Sequence, residues 1–202
     1  VTLLVTFNFL TQLVVDFLAA KFVDQIGYRP CVVAAHVFCA VGLVGLGWFP
    51  AILPPYTGLL LAVVAYAIGG GLIEVLISPI VEACPTEKKE AAMSLLHSFY
   101  CWGHVGVVLL STAFFTLFGI GNWRILACLW ALVPIFNIFY FSAVPIYPVV
   151  EEHEKMRLRD LLGQKVLWLL LVIMVCAGAS EQAMSQWVSA FAESALHVSK
   201  TI

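Results

Sequence analysis

The sequence predicts an all-α, polytopic membrane helix bundle, and three observations carry that prediction. Hydrophobic residues fill 62% of the 202 positions and charged residues only 11%, with a mean hydropathy of +1.02, a balance that a water-soluble domain of this size does not carry. The apolar residues gather into six runs, 1–20, 31–49, 56–81, 91–118, 125–146 and 166–190, and a bilayer-spanning helix needs about 20 such residues. Proline, glycine and charged residues collect between the runs, where a strand barrel would instead show short alternating segments.

The first run carries Asn8, Gln12 and Asp16 at i, i+4 and i+8, in line with Asp24 beyond it. That spacing makes a polar stripe facing protein or water, and Asp16 reads either as a second proton carrier or as a hydrogen-bond clamp between helices. The second run, 31–49, is apolar throughout and ends at the turn Pro50 to Pro55.

The third run holds the most informative residue. Glu74 stands in an otherwise apolar segment beside Gly69-Gly70-Gly71. It precedes Glu82 by eight residues, which at about 1.5 Å per residue places it roughly 12 Å inside, near the midplane of a core about 30 Å thick. Ionisable groups at that depth mark ion and substrate paths. Gly70 and Ser78, at i−4 and i+4, make the face around it small and polar. The alternative is a structural acid hydrogen-bonded to a neighbouring helix.

After a turn at Thr86 to Glu90, the fourth run places His97, Tyr100, His104 and Ser111 at helical spacing among Val, Leu and Phe. A hydroxyl-rich ligand is held by such polar groups and by aromatic rings, among which Tyr100 and Trp102 qualify. A further turn at Gly119 to Trp123 leads to the apolar fifth run. The stretch 147–164 gathers Glu151, Glu152, Glu154, Lys155, Arg157, Arg159 and Asp160, reads as an amphipathic helix, and links two membrane units. The sixth run interleaves Gly178, Glu181, Gln182, Ser185, Gln186 and Ser189 with Trp187, a polar half-helix suited to gating or binding, or a solvated helix end.

Basic residues set the orientation. Lys21, Arg29, Lys88, Lys89, Lys155, Arg157, Arg159 and Lys165 flank the links near 21–30, 82–90 and 147–165, against Arg124 and Lys200 on the alternate side. Those three links, 147–164 among them, are therefore expected in the cytoplasm, the chain in a multi-pass cell membrane, and both termini outside. Starting at Val1 in hydrocarbon and stopping at Ile202, the sequence reads as a fragment. Its six cysteines have no paired spacing, so neither a disulfide framework nor a zinc site is expected. No cofactor, metal or nucleic acid is implied.

The stretch Asp24-Gln25-Ile26-Gly27-Tyr28-Arg29-Pro30 resembles the D-R-x-G-x-R loop signature of the major facilitator superfamily, with Gln25 in the place of the usual Arg. The resemblance implies that the chain holds helices two to seven of a partial major facilitator fold. Residues 1–146 would be part of the first six-helix half, 147–164 the linker, and 165–202 the start of the second half. It makes Asp24, Gly27 and Arg29 a conformational switch, in which Asp24 pairs with Arg29 or caps a helix end. Gly70 to Pro79 is similar to the fourth helix of the fucose/galactose/glucose:proton symporter family, and His97-Ser98-Phe99-Tyr100-Cys101-Trp102-Gly103 to its fifth-helix pattern, with His97 and Tyr100 where that family has Gln and Asn.

That resemblance implies a secondary transporter, not an enzyme, that moves a sugar-like solute with a proton and works as a monomer when full length. Glu74 and Asp16 would couple the proton, and His97, Tyr100, His104, Glu181, Gln182 and Gln186 would bind solute. Na⁺ in place of H⁺, a drug or metabolite antiporter, and a non-transporting sensor on the same fold stay open. A metalloenzyme using Glu74, His97 and His104 is disfavoured by the absence of an H-E-x-x-H pattern.

Overall fold

The computed structural model describes residues 2–147 and 158–196. Every regular element among them is helical. The chain divides into two compact units, Val1–Val149 and Val150–Ile202.

The first unit holds five long helices: α1 (Thr2–Ile26), α2 (Tyr28–Ile52), α3 (Pro55–Glu82), α4 (Lys89–Phe118) and α5 (Trp123–Ala143). The second holds a short α6 (Leu158–Leu162) and a long α7 (Lys165–Leu196). Five of these segments, in α2, α3, α4, α5 and α7, are long and apolar enough to cross a membrane, while the apolar stretch described in α1 runs Leu3–Ala19. The amphipathic helix expected over 147–164 is represented by α6, with 148–157 outside the described residues.

The connections are shorter than the sequence implies. A loop was expected over 21–30, yet α1 continues to Ile26 and α2 starts at Tyr28, leaving one residue between them. Gly27 makes this possible by adopting φ 97° and ψ 151°, a region open essentially to glycine alone. Asp24 therefore sits in the last turn of α1, and Arg29 and Pro30 in the first turn of α2, where proline's missing N–H goes unused. The turn expected at Pro50–Pro55 shrinks likewise, because Pro50 lies inside α2 and Pro55 opens α3. Between α4 and α5, Gly119 (φ 80°) ends one helix and a 3-10 turn, Ile120–Asn122, starts the next.

Small residues draw α2 and α3 together. A Cβ placed on Gly69 would stand 2.5 Å from the Ala35 carbonyl oxygen and the Cys39 sulfur, one on Gly58 would meet Phe49 and Pro50, and one on Gly42 would overlap Tyr66. Ascending positions on α3 thus meet descending positions on α2, so the helices are antiparallel and in backbone contact. In a bilayer no hydrophobic force draws helices together, so close approach through glycine supplies the packing attraction. On its other side α2 runs antiparallel to α5, Gly47 lying against Arg124 and Cys128. A buried cluster of Ala19 and Val23 from α1, Cys31, Val32 and Ala35 from α2, and Leu72 and Leu76 from α3 closes this core. By contrast α4 has no buried residue. It is tied to α5 by Trp130 Nε1–H donating to Ser111 Oγ at 3.1 Å.

Candidate functional site

The glycine pair beside Glu74 seats α1. A Cβ on Gly70 would lie 3.1 Å from Gln12 Nε2, and one on Gly71 would lie 3.1 Å from Asp16 Oδ1 and 3.3 Å from the Gln12 carbonyl oxygen. The stripe Asn8, Gln12, Asp16 therefore faces α3 and packs on its smallest surface, with the two helices parallel. Glu74 follows Gly70 by four residues, one turn along that face, and its side chain is exposed. Asp16, far off in the sequence, is thereby brought against Gly71, three residues before Glu74.

This polar seam is under-satisfied. Asn8 Oδ1 and Asp16 Oδ1 are buried without a hydrogen-bond partner among the described residues. The ion pair of Lys89 Nζ with Glu82, at 3.5 Å, lies away from this seam, at the exposed end of α3. Unpaired acceptors in a packed interface are costly, and in a membrane protein such costs are kept where ions or substrates pass.

On α4, His97, Tyr100 and His104 are exposed. They lie on the same broad face as Ser111, whose hydroxyl is taken by Trp130 of α5. In the second unit Glu181 and Gln182 are exposed on α7, and the side chain of Gln186 lies outside the described residues.

The residues of the Gly27 turn separate. Arg29 does not pair with Asp24; its Nη2 donates to the carbonyl oxygen of Val144 at 2.9 Å. Val144 is the C-cap of α5, so the guanidinium satisfies a helix-end carbonyl and complements the negative end of the helix. Asp24 is left exposed at the end of α1.

His36 was not singled out by its sequence, where it is one histidine in an apolar run. It is buried, Nδ1–H donates to the Val32 carbonyl oxygen at 2.8 Å, and its ring stacks on Phe141 of α5 at 5.2 Å. Only pairing of α2 with α5 reveals this, since the two rings are far apart in the chain.

Apolar helices long enough to cross a bilayer, held in backbone contact by glycine, define a multi-pass membrane protein. The family model described as Major Facilitator Superfamily matches residues 1–202, and the chain belongs to that superfamily. No curated protein and no solved structure matches it.

Proposed function

We propose that this protein is a secondary active transporter that works by alternating access and moves a sugar or similar small polar solute together with a proton carried on Glu74. The observation that supports this reading above others is a mid-span carboxylate, Glu74, one helical turn beyond Gly70 on α3, with no cationic partner among the described residues. An ionised acid in low dielectric is heavily penalised, whereas the protonated one is not. Proton occupancy therefore controls whether the loaded carrier reorients, and solute and proton movement become coupled through one electrostatic cost.

In this reading His97, Tyr100 and His104 of α4 contribute solute-binding groups. Asp24, Gly27 and Arg29 hold one conformation from the cytoplasmic side. The protein acts as a monomer in the cell membrane.

The test is Glu74→Gln in the full-length protein, assayed by uptake of a panel of labelled hexoses and polyols with and without an inward proton gradient. Gradient-driven accumulation should be lost while solute exchange without a gradient continues. Accumulation that still follows the gradient in the variant refutes the proton role of Glu74.

A further inference from the structure

The polar stripe of α4 has little packing to hold it in place. No residue of α4 is buried, and a Cβ added to Gly103 or Gly106, midway along the helix, would meet nothing within 4 Å. In a bilayer, helices keep their spacing by close packing and by hydrogen bonds from one to the next. The pair α2 and α3 has the close packing, whereas α4 meets α5 through a hydrogen bond. Trp130 Nε1–H donates to Ser111 Oγ at 3.1 Å, a half-buried contact between two spans.

Ser111 is placed differently from other hydroxyls on these helices. Ser98, Thr116, Ser142 and Ser180 each donate to the carbonyl oxygen four residues earlier, a local bond that needs no second element. Ser111 Oγ instead accepts from α5. With 3.6 residues per turn, His97, Tyr100, His104 and Ser111 fall within about 60° of one another around α4. A bond at Ser111 therefore fixes the rotation of α4 about its axis, and with it the direction in which the other three side chains point. The donor comes from an anchored helix: α5 buries Leu126, Ala131 and Pro134 and stacks Phe141 on His36 of α2. An indole N–H can only donate, so a serine hydroxyl oxygen is a partner it keeps in one sense.

We propose that Trp130 is a positioning residue for solute recognition: by holding Ser111 it sets the rotation at which α4 presents His97, Tyr100 and His104 to the solute. It acts through α4 and not by touching the solute. Without the bond α4 samples several rotations, the three groups are aligned for only a fraction of the time, and apparent affinity falls by that fraction. The lost interaction is one of binding, so KM rises and the maximal rate holds. This inference rests on the reading of α4 as a solute-binding helix.

The experiment is solute exchange in proteoliposomes holding the full-length protein, at equal pH on both sides, with labelled glucose, galactose, fucose and sorbitol as probes. Trp130→Phe keeps an aromatic ring and removes the donor, and Ser111→Ala removes the acceptor. Each should raise KM about three- to tenfold, the range an interhelical hydrogen bond in a membrane supports, while the maximal rate stays within about twofold of wild type. The double variant should be no weaker than either single one, because both delete the same bond. Ser111→Thr keeps the hydroxyl and should exchange like wild type, and amide exchange over residues 97–111 should quicken in both single variants. An unchanged KM in either single variant, a double variant whose loss is the product of the two, or a fall in maximal rate at constant KM overturns the positioning role. Ser111→Ala, a small change at a half-buried position, carries the test if Trp130→Phe does not fold. His97→Ala and His104→Ala separate this inference from the reading beneath it. If they raise KM while the Trp130 and Ser111 variants do not, only the positioning fails. If none of the four changes exchange, or wild type exchanges none of the probes, the solute-binding reading of α4 falls as well.

Discussion

Replacing Gly69 by Ala should separate α2 from α3, and the cost can be worked from the geometry. The added Cβ would stand 2.5 Å from the Ala35 carbonyl oxygen and Cys39 Sγ, and 2.7 Å from the Cys39 backbone nitrogen. Non-bonded heavy atoms sit comfortably at about 3.5–4.0 Å, so relief requires a shift of about 1 Å. Two of the three obstructing atoms belong to backbone, and no rotamer change removes them. A gap of that size forfeits about a quarter to a half of each dispersion contact it opens, and overpacking of this kind costs about 1–3 kcal/mol. Alanine is the better helix former by about 1 kcal/mol, so the cleanest reference is Gly103→Ala on α4, where nothing lies within 4 Å. The assay is thermal unfolding of the full-length protein in detergent. Gly69→Ala should melt several degrees below Gly103→Ala, at about 2–4 °C per kcal/mol. Equal midpoints would refute the claim that this glycine sets the helix spacing.

Other perturbations follow from single contacts. Gly27→Ala should destabilise by about 1–3 kcal/mol, because φ 97° and ψ 151° are closed to other residues; Gly121→Ala, with open space around it, serves as the control in the same melting assay. Arg29→Ala should free the Val144 carbonyl, cost about 1 kcal/mol, and speed amide exchange over residues 140–146, with no change counting against the cap. His36→Ala should cost about 2 kcal/mol through the lost Phe141 stack and the small cavity left. His97→Ala, exposed on α4, should change the melting midpoint little and act on solute uptake instead.

Much of the architecture could be read before any coordinates, because helix formation in a bilayer is a local requirement. Every spanning segment must satisfy its own backbone hydrogen bonds, so a run such as 56–81 is helical wherever it lies in the bundle, and α3 (Pro55–Glu82) follows it to within a residue at each end. Helix ends were less legible. The chain reverses between α1 and α2 on Gly27 alone, and a run of polar letters around one glycine looks longer in sequence than the turn it makes. Within the candidate site, Glu74 announced itself by being charged in an apolar run.

Sequence by itself determined which segments are helices, that they are membrane helices, and which polar residues they carry to depth, since all three depend on residues near in the chain. Only the tertiary structure decided who meets whom. Asp16 packs on Gly71 because glycine lets α1 approach α3, Arg29 reaches Val144 and His36 reaches Phe141 because α2 lies beside α5, and Ser111 turns to Trp130 rather than standing free. These pairings depend on how closely two backbones approach, a distance set jointly by side chains on both helices and therefore written in neither segment alone.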